Sequence, residues 1–299
     1  MKITAKKEAL QTALQTVSGL VNPRNPLPIL THVRCEARAE TLVLAATDLT
    51  VSASLSLPVR VATEGGVTIP ARKLLDILRS VEQADVDITI TADSKHHLVI
   101  DIASRFKTRQ KLIGGALDEF PALEAQKPAH AFALPAAALR TMINNTAFAA
   151  STVDETRAYL TGINMVSKGG QLAFVATNSH KLALMRQNWP GKEKVGDFNI
   201  IVPAKALQEL MKNITADESA VNVAIAPNHV SFTHETLQLT SRLIDEEYPA
   251  FEKVIPAKAL GNRIGIDPLA LHAALVEVGP SCDDKTRQIF LRFSGSRLG

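Results

Sequence analysis

The chain repeats itself with a period the size of a whole domain. Leu10 and Leu14 open a helical apolar pattern that returns at Leu139 and Ile143 and again at Leu271 and Leu275, at offsets of 129 and 132 residues. The markers between them keep the same order. VLAATDL around Thr47 and Asp48 answers AFVATNS around Thr177 and Asn178; TIPARKLLDIL from Thr68 answers IVPAKALQELM from Ile201; DEFPALE from Asp118 answers EEYPAFE from Glu246. Four markers in one order at one spacing define tandem copies, and a period this long is a globular domain rather than a solenoid coil. Pro/Ala/Lys-rich stretches near Gln126–Ala129 and Pro256–Gly261 separate the copies, giving domains 1–127, 128–257 and 258–299. The third is expected to hold only its N-terminal third. An incomplete domain leaves strand edges unpaired, so the chain is expected to be a fragment or to fold well only in its first two copies.

Each full copy reads as α+β, two helices packed on antiparallel strands. A helix is expected first, with Leu10, Ala13, Leu14 and Val17 on one face in copy one and Leu139, Met142 and Ile143 in copy two. Alternating segments follow, HVRCEARAETLVLAATD and GINMVSKGGQLAFVATN, with Gly169-Gly170 as a hairpin turn. The second helix opens at Pro70-Ala71 and Pro203-Ala204, where proline costs nothing because the first helical amides lack partners anyway. Leu207, Leu210, Met211 and Ile214 form its apolar stripe in copy two. Further alternating strands, such as Val221 to Ile225, close each copy.

An apolar share of 46% with 21% charged residues fits a folded, water-soluble chain. No apolar run is long enough for a membrane span, and MKITAKKEAL lacks a signal-peptide core. Cys35 and Cys282 stand in no metal-ligand spacing, which reads as two free thiols in a reducing cytoplasm. A net charge of +3 names no partner by itself. Its distribution says more: four expected helices (5–17, 71–80, 136–146, 204–213) carry eight basic residues against three acidic ones. The basic set is Lys6, Lys7, Arg72, Lys73, Arg79, Arg140, Lys205 and Lys212. These are ordinary solvated faces, or, if the fold gathers the helices on one surface, a footprint for a polyanion.

No enzyme site can be assembled. No phosphate loop, HExxH, GxSxG or paired-cysteine motif occurs, and no cofactor or metal is expected. His96 and His97, read as strand neighbours, would point to opposite faces. His180, beside Thr177, Asn178 and Ser179, reads as a structural hydrogen-bonder; a hydroxyl–imidazole pair there lacks an orienting carboxylate. Aromatic residues make up only 4%, too few for a base-stacking surface, so any nucleic-acid contact should run through phosphates.

NPRNPLPILTHV, the VPA-type helix starts, ATNSHKLAL and SRLIDEEYPAFEKVIP together resemble the bacterial sliding clamp family, the beta subunits of DNA polymerase III. The resemblance runs from Met1 to about Leu298. It implies a head-to-tail homodimeric ring of clamp domains, helices inside and sheets outside, with double-stranded DNA through the middle. The implied function is non-catalytic, cytoplasmic (nucleoid-associated) processivity in DNA replication. Implied partners are the polymerase III catalytic subunit, the clamp loader, and other polymerases and repair proteins. The resemblance places a partner-peptide pocket at Leu160, Thr177, Ser179, His180, Lys181, Leu182, Pro249, Lys253 and Val254; read without it, Leu160, Leu182 and Val254 are core. Lys181 and Lys253 stand where other members carry Arg, which removes bidentate pairing. DNA contacts carried over are Arg24, Tyr159 and Lys205, with Lys73, Arg79 and Lys212 added from helix position. The implied dimer interface uses an edge strand near Ser104, Arg105 and Phe106 against a helix holding Leu275 and Val278, which Gly279-Pro280 should end early. Two alternatives stand beside this reading: a clamp-like module that binds peptides or the loader without closing a ring, and a hydrolase centred on Ser179 and His180.

Overall fold

The computed structural model describes residues 1–121, 127–152, 156–192, 195–256, 264–283, 288–294 and 297–298. Of the expected linker stretches, Gln126 in the first and 257–261 in the second fall outside them. Met1–Tyr248 forms one compact unit and Pro249–Gly299 a second.

Copy one runs β1 (Lys2–Lys6), α1 (Lys7–Ser18), β2 (His32–Arg38), β3 (Thr41–Thr47), β4 (Val51–Pro58), β5 (Arg60–Thr63), β6 (Gly65–Pro70), α2 (Ala71–Arg79), β7 (Asp87–Ala92), β8 (His97–Ile102) and β9 (Thr108–Ile113). Copy two runs β10 (His130–Pro135), α3 (Ala136–Asn144), β11 (Gly162–Lys168), β12 (Gln171–Thr177), β13 (Leu182–Asn188), β14 (Phe198–Pro203), α4 (Ala204–Asn213), β15 (Ala220–Ile225), β16 (His229–His234) and β17 (Leu237–Arg242). Among the described residues only β5 lacks a counterpart. A strand, not a helix, opens each copy. β1 pairs with β7, Ile3 opposite Ile90 and Ala5 opposite Ile88, but five residues of alternation are too few to declare a strand beside a long helical pattern.

Helix positions follow the apolar spacing. α1 buries Leu10, Ala13, Leu14 and Val17; Pro70, Pro135 and Pro203 stand immediately before α2, α3 and α4. With no side-chain caps there, loop carbonyls serve α3: Ala136 N–H donates to Ser219 O at 2.8 Å and Ala137 N–H to Asp217 O at 2.9 Å. The Gly169-Gly170 turn has φ of +57° and +77°, the left-handed pair that a two-residue hairpin requires.

The copies are not separate beads. β9, β8, β7, β1 and β5 form one sheet and β13, β12, β11 and β14 another, while the rest join into eight strands ordered β10-β15-β16-β17-β4-β3-β2-β6. The seam is β17 on β4, with Leu237 opposite Leu55 and Leu239 opposite Ala53. Opposite residues of an antiparallel pair share a face, so the apolar row Phe132, Val223, Phe232, Leu239, Ala53, Ala46 crosses from copy two into copy one unbroken. α1 packs over β2, β3 and β4, and α4 over β17. The two helices approach closely: a Cβ on Gly19 would lie 2.7 Å from Glu209 Oε2.

The segment after β17 returns to the four-stranded sheet. Ile244 N–H donates to Ile201 O at 2.9 Å and Tyr248 Oη to Val175 O at 3.3 Å. Burial pushes the Tyr248 phenol up to about 12. Leu160, Asn164, Val175 and Ile201 are buried.

The second unit contains a short turn at Phe251–Val254 and α5 (Pro268–Val278). Asp267 Oδ1 accepts from Leu269 N–H at 3.0 Å, and Pro268 fills the first helical position. α5 stops at Val278, where Gly279–Ser281 tightens into a 3₁₀ turn; none of its side chains is buried. No helix of the described residues is long and apolar enough to cross a membrane.

Candidate polyanion-facing helices and peptide-binding turn

The basic residues expected on the helices separate into two groups. On α2, Arg72, Lys73 and Arg79 are exposed and without an ion pair among the described residues. Arg24 projects from a loop pinned by its own asparagines: Asn22 Oδ1 accepts from Arg24 N–H and Asn25 Oδ1 from Leu27 N–H, both at 3.0 Å. Of the rest, Lys6, Lys205 and Lys212 are ion-paired and Arg140 is hydrogen-bonded, while Lys7 has no ion pair among the described residues. Lys205 pairs with Asp48 across the seam between the copies. Lys212 pairs with the largely buried Glu209 at 2.6 Å. Lys6 belongs to β1 rather than a helix, and its bonds to Asp85 at 2.7 Å and Asp87 at 3.2 Å raise its ammonium pKa.

Arg140 is a correction to the electrostatic footprint. Its Nη1 donates to Met211 O and, at 2.9 Å, to Ile214 O. Those are carbonyls at the end of α4, which an α-helix cannot satisfy internally, and a cation is favoured there by the helix dipole. Arg140 therefore ties α3 to α4, its guanidinium held at the helix end.

The turn between β12 and β13 is built from side chains. Thr177 Oγ1 donates to Lys181 O at 2.8 Å and accepts from Ser179 N–H at 3.1 Å. Asn178 Oδ1 accepts from His180 N–H at 3.1 Å and Lys181 N–H at 3.0 Å. The same turn occurs between β3 and β4, where Thr47 serves Val51 O and Leu49 N–H, and Asp48 Oδ1 serves Thr50 and Val51. In both, a residue with a side chain is held left-handed, Leu49 at φ +76° and Ser179 at φ +73°. Such a conformation costs about 1 kcal/mol and persists only where surroundings fix it.

The structure brings part of the predicted pocket together. Thr177, Ser179, His180 and Lys181 occupy this one turn, and half-buried Leu182 begins β13. Leu160 lies beneath the surface at 1% exposure. In the second unit, Pro249 is exposed, Lys253 and Val254 lie on the turn Phe251–Val254, and Val254 is 70% exposed. Sequence reasoning missed two contacts to the β12–β13 turn. Arg157 Nη1 donates to Ser179 Oγ at 3.2 Å, and Lys181 Nζ stands 5.7 Å from the Phe148 ring centre. No local pattern announces either, because each joins residues far apart in the chain. Tyr159 is half-buried; its N–H donates to Glu246 Oε2 at 3.0 Å and its ring meets Tyr248 edge-on at 6.1 Å.

Ser104, Arg105 and Phe106 form the turn between β8 and β9 rather than the edge strand itself, which is β9. Lys107 at φ +47° closes that turn, and Phe106 stands 78% exposed beneath the Arg105 guanidinium. Leu275 is half-buried and Val278 exposed on α5. His96 is in a turn at φ +61° while His97 opens β8 and meets Asp93 Oδ2 at 3.2 Å, so the two are not strand neighbours. No group of metal-ligating side chains occurs among the described residues. Cys35 is buried, which pushes its thiol up to about 12 and makes it a poor nucleophile.

The model of the DNA polymerase III beta subunit N-terminal domain matches residues 1–124, and that of its central domain matches residues 133–250. The beta sliding clamp of Pseudomonas aeruginosa is 32% identical over 302 residues, covering 100% of this chain and 79% of that protein. The beta sliding clamp of Synechocystis is 30% identical over 308 residues, covering 97% and 77%. Among solved structures, the DNA polymerase III subunit beta from Pseudomonas aeruginosa is similar with a TM-score of 0.89 at 30% identity, over 100% of this chain and 79% of that one. The DNA polymerase sliding clamp from Bacillus subtilis is similar with a TM-score of 0.80 at 28% identity, over 86% and 68%. Tandem α+β copies, antiparallel sheets and these matches agree: the chain belongs to the bacterial beta sliding clamp family, the beta subunits of DNA polymerase III.

Proposed function

We propose that this chain acts as a non-catalytic processivity clamp that surrounds duplex DNA, tethers the replicative polymerase and docks partner peptides at the Thr177–Leu182 turn. The seam between β17 and β4 carries this reading. It is a heterologous contact, one kind of edge meeting a different kind, and such contacts repeated with the right rotation close into rings. The chain presents one more edge of each kind: β9 is the counterpart of β17 and β13 the counterpart of β4, and neither has a further partner among the described residues. Arg72, Lys73 and Arg79 supply a sequence-indifferent attraction to phosphate that permits sliding, where base contacts would pin the protein. In domain terms the reading assigns 1–127 and 128–257 to clamp domains and 258–299 to part of a third.

Topology tests it. Incubated with a bacterial clamp loader, ATP and nicked circular duplex, the chain should stay bound through a high-salt wash and leave once the circle is linearised. Equal release from circle and linear DNA would overturn the encircling reading. A second reading, a module that binds peptides without closing a ring, is favoured by α5, which buries none of its side chains. It requires a monomer by light scattering at every concentration, with peptide binding intact.

A further inference from the structure

Resting on the peptide-docking reading above, we infer that Phe148 and Lys181 form one contact patch that reads an acidic residue flanking the apolar anchor of a bound peptide. Phe148 is 62% exposed. Its support is rigid. It sits in the 3₁₀ turn Ala147–Ala149 between buried Ala147 and Ala149. Thr146 is fully buried before it, its Oγ1 donating to Met142 O at 2.7 Å. Backbone bonds from Ala149 to Thr146 at 2.9 Å and from Ser151 to Leu160 at 2.7 Å fix both ends of the segment. A ring held this way offers apolar area without a large ordering cost, which is the character of an interface anchor.

The second half of the patch is charge. Lys181 has no ion pair among the described residues; its ammonium stands over the face of Phe148, 5.7 Å from the ring centre. A cation over a ring face is attracted by the ring quadrupole, and the contact holds a long, mobile side chain in one place. A lysine ammonium carries three hydrogen-bond donors, so it has some to spare for a ligand. The backbone bearing Lys181 is fixed by Asn178 Oδ1. The patch thus combines an apolar plate with a positioned cation at one end of the peptide turn. The complementary ligand is a peptide segment with an aliphatic or aromatic side chain next to a carboxylate.

Two fluorescent peptides that share one apolar anchor and differ only by Asp or Asn beside it provide the test. The full chain should bind the Asp peptide about fourfold more tightly, the size of one exposed ion pair. In Lys181→Met that preference should vanish, the two peptides binding with equal affinity. In Phe148→Ala both peptides should weaken about fivefold and the preference should shrink, because plate and positioning are lost together. An exposed ring is safe to remove, and a circular dichroism melt checks the fold. Unchanged affinities and preference in Phe148→Ala would overturn the inference. So would a Phe148→Ala defect confined to DNA binding, which would give the ring to nucleic acid instead. Failure of the unaltered chain to bind either peptide would defeat the docking reading itself, a distinguishable outcome.

Discussion

The helix pairs of the two copies occupy equivalent places in the repeat, yet they spend their charges differently. In copy two, Arg140 closes the end of α4, Lys212 covers the carboxylate of Glu209, and Lys205 reaches across to Asp48 of copy one. In copy one, the residue at the place of Arg140 is Gln11, whose buried Oε1 has no hydrogen-bond partner among the described residues, and the basic residues of α2 are exposed with no ion pair among them. One pair uses cations as mortar; the other leaves them available to a ligand. A repeat therefore does not license reading the same role from the same position. What a lysine faces is decided by which neighbour the other copy places beside it.

The strongest way to break this comparison is to remove Arg140. Arg140→Ala strips the donors from two helix-end carbonyls and should destabilise the chain by about 2 kcal/mol, the scale of lost charge-assisted hydrogen bonds. Gln11→Ala should be near neutral, because no bond is lost. Urea unfolding of both variants decides it, and equal losses would erase the contrast. Next in size is phosphate attraction. Removing Arg72, Lys73 and Arg79 together should flatten the salt dependence of duplex binding by about 2 in log–log slope. Removing Lys205 and Lys212 should change it by less than about 1, since those ammonium groups are already paired. A larger effect from the second pair would reverse the division of labour proposed for the copies.

The smallest effect concerns the loop that serves α3. Hydrogen bonds from Ser219 and then Thr215 hold the Asp217 carboxyl down at about 2, below its ordinary 3.8. A depressed folded value means stability that is complete above the unfolded value and drains away as pH falls towards the folded one. The melting temperature of the chain should therefore fall between pH 4 and pH 2 more steeply than that of Asp217→Asn. Parallel curves would remove Asp217 from the account.

Local features were legible in the sequence. Gly169-Gly170 named a hairpin, and Pro203 followed by an apolar stripe named α4, because each is a property of adjacent residues. The seam was not, since Leu55 and Leu237 meet across most of the chain and neither strand announces its partner. The peptide turn was half legible. ATNSHKLAL located Thr177 to Leu182, but the residues that brace its flanks, Arg157 and Phe148, lie outside the motif. Leu160 shows the opposite limit, because an apolar residue in a functional motif looks the same whether it lines a pocket or fills a core.

The seam also has a mechanical meaning. Five successive residue pairs, from Leu237 with Leu55 to Ser241 with Val51, bridge the copies. A load directed along the strands must strain all five together, whereas a load across them meets one pair at a time, as in opening a zip. Antiparallel hydrogen bonds lie perpendicular to the strands, so tension running along β17 and β4 meets the stiff direction. Copies one and two should then deform as one plate, and flexing should be taken up at the unpaired borders of β9 and β13.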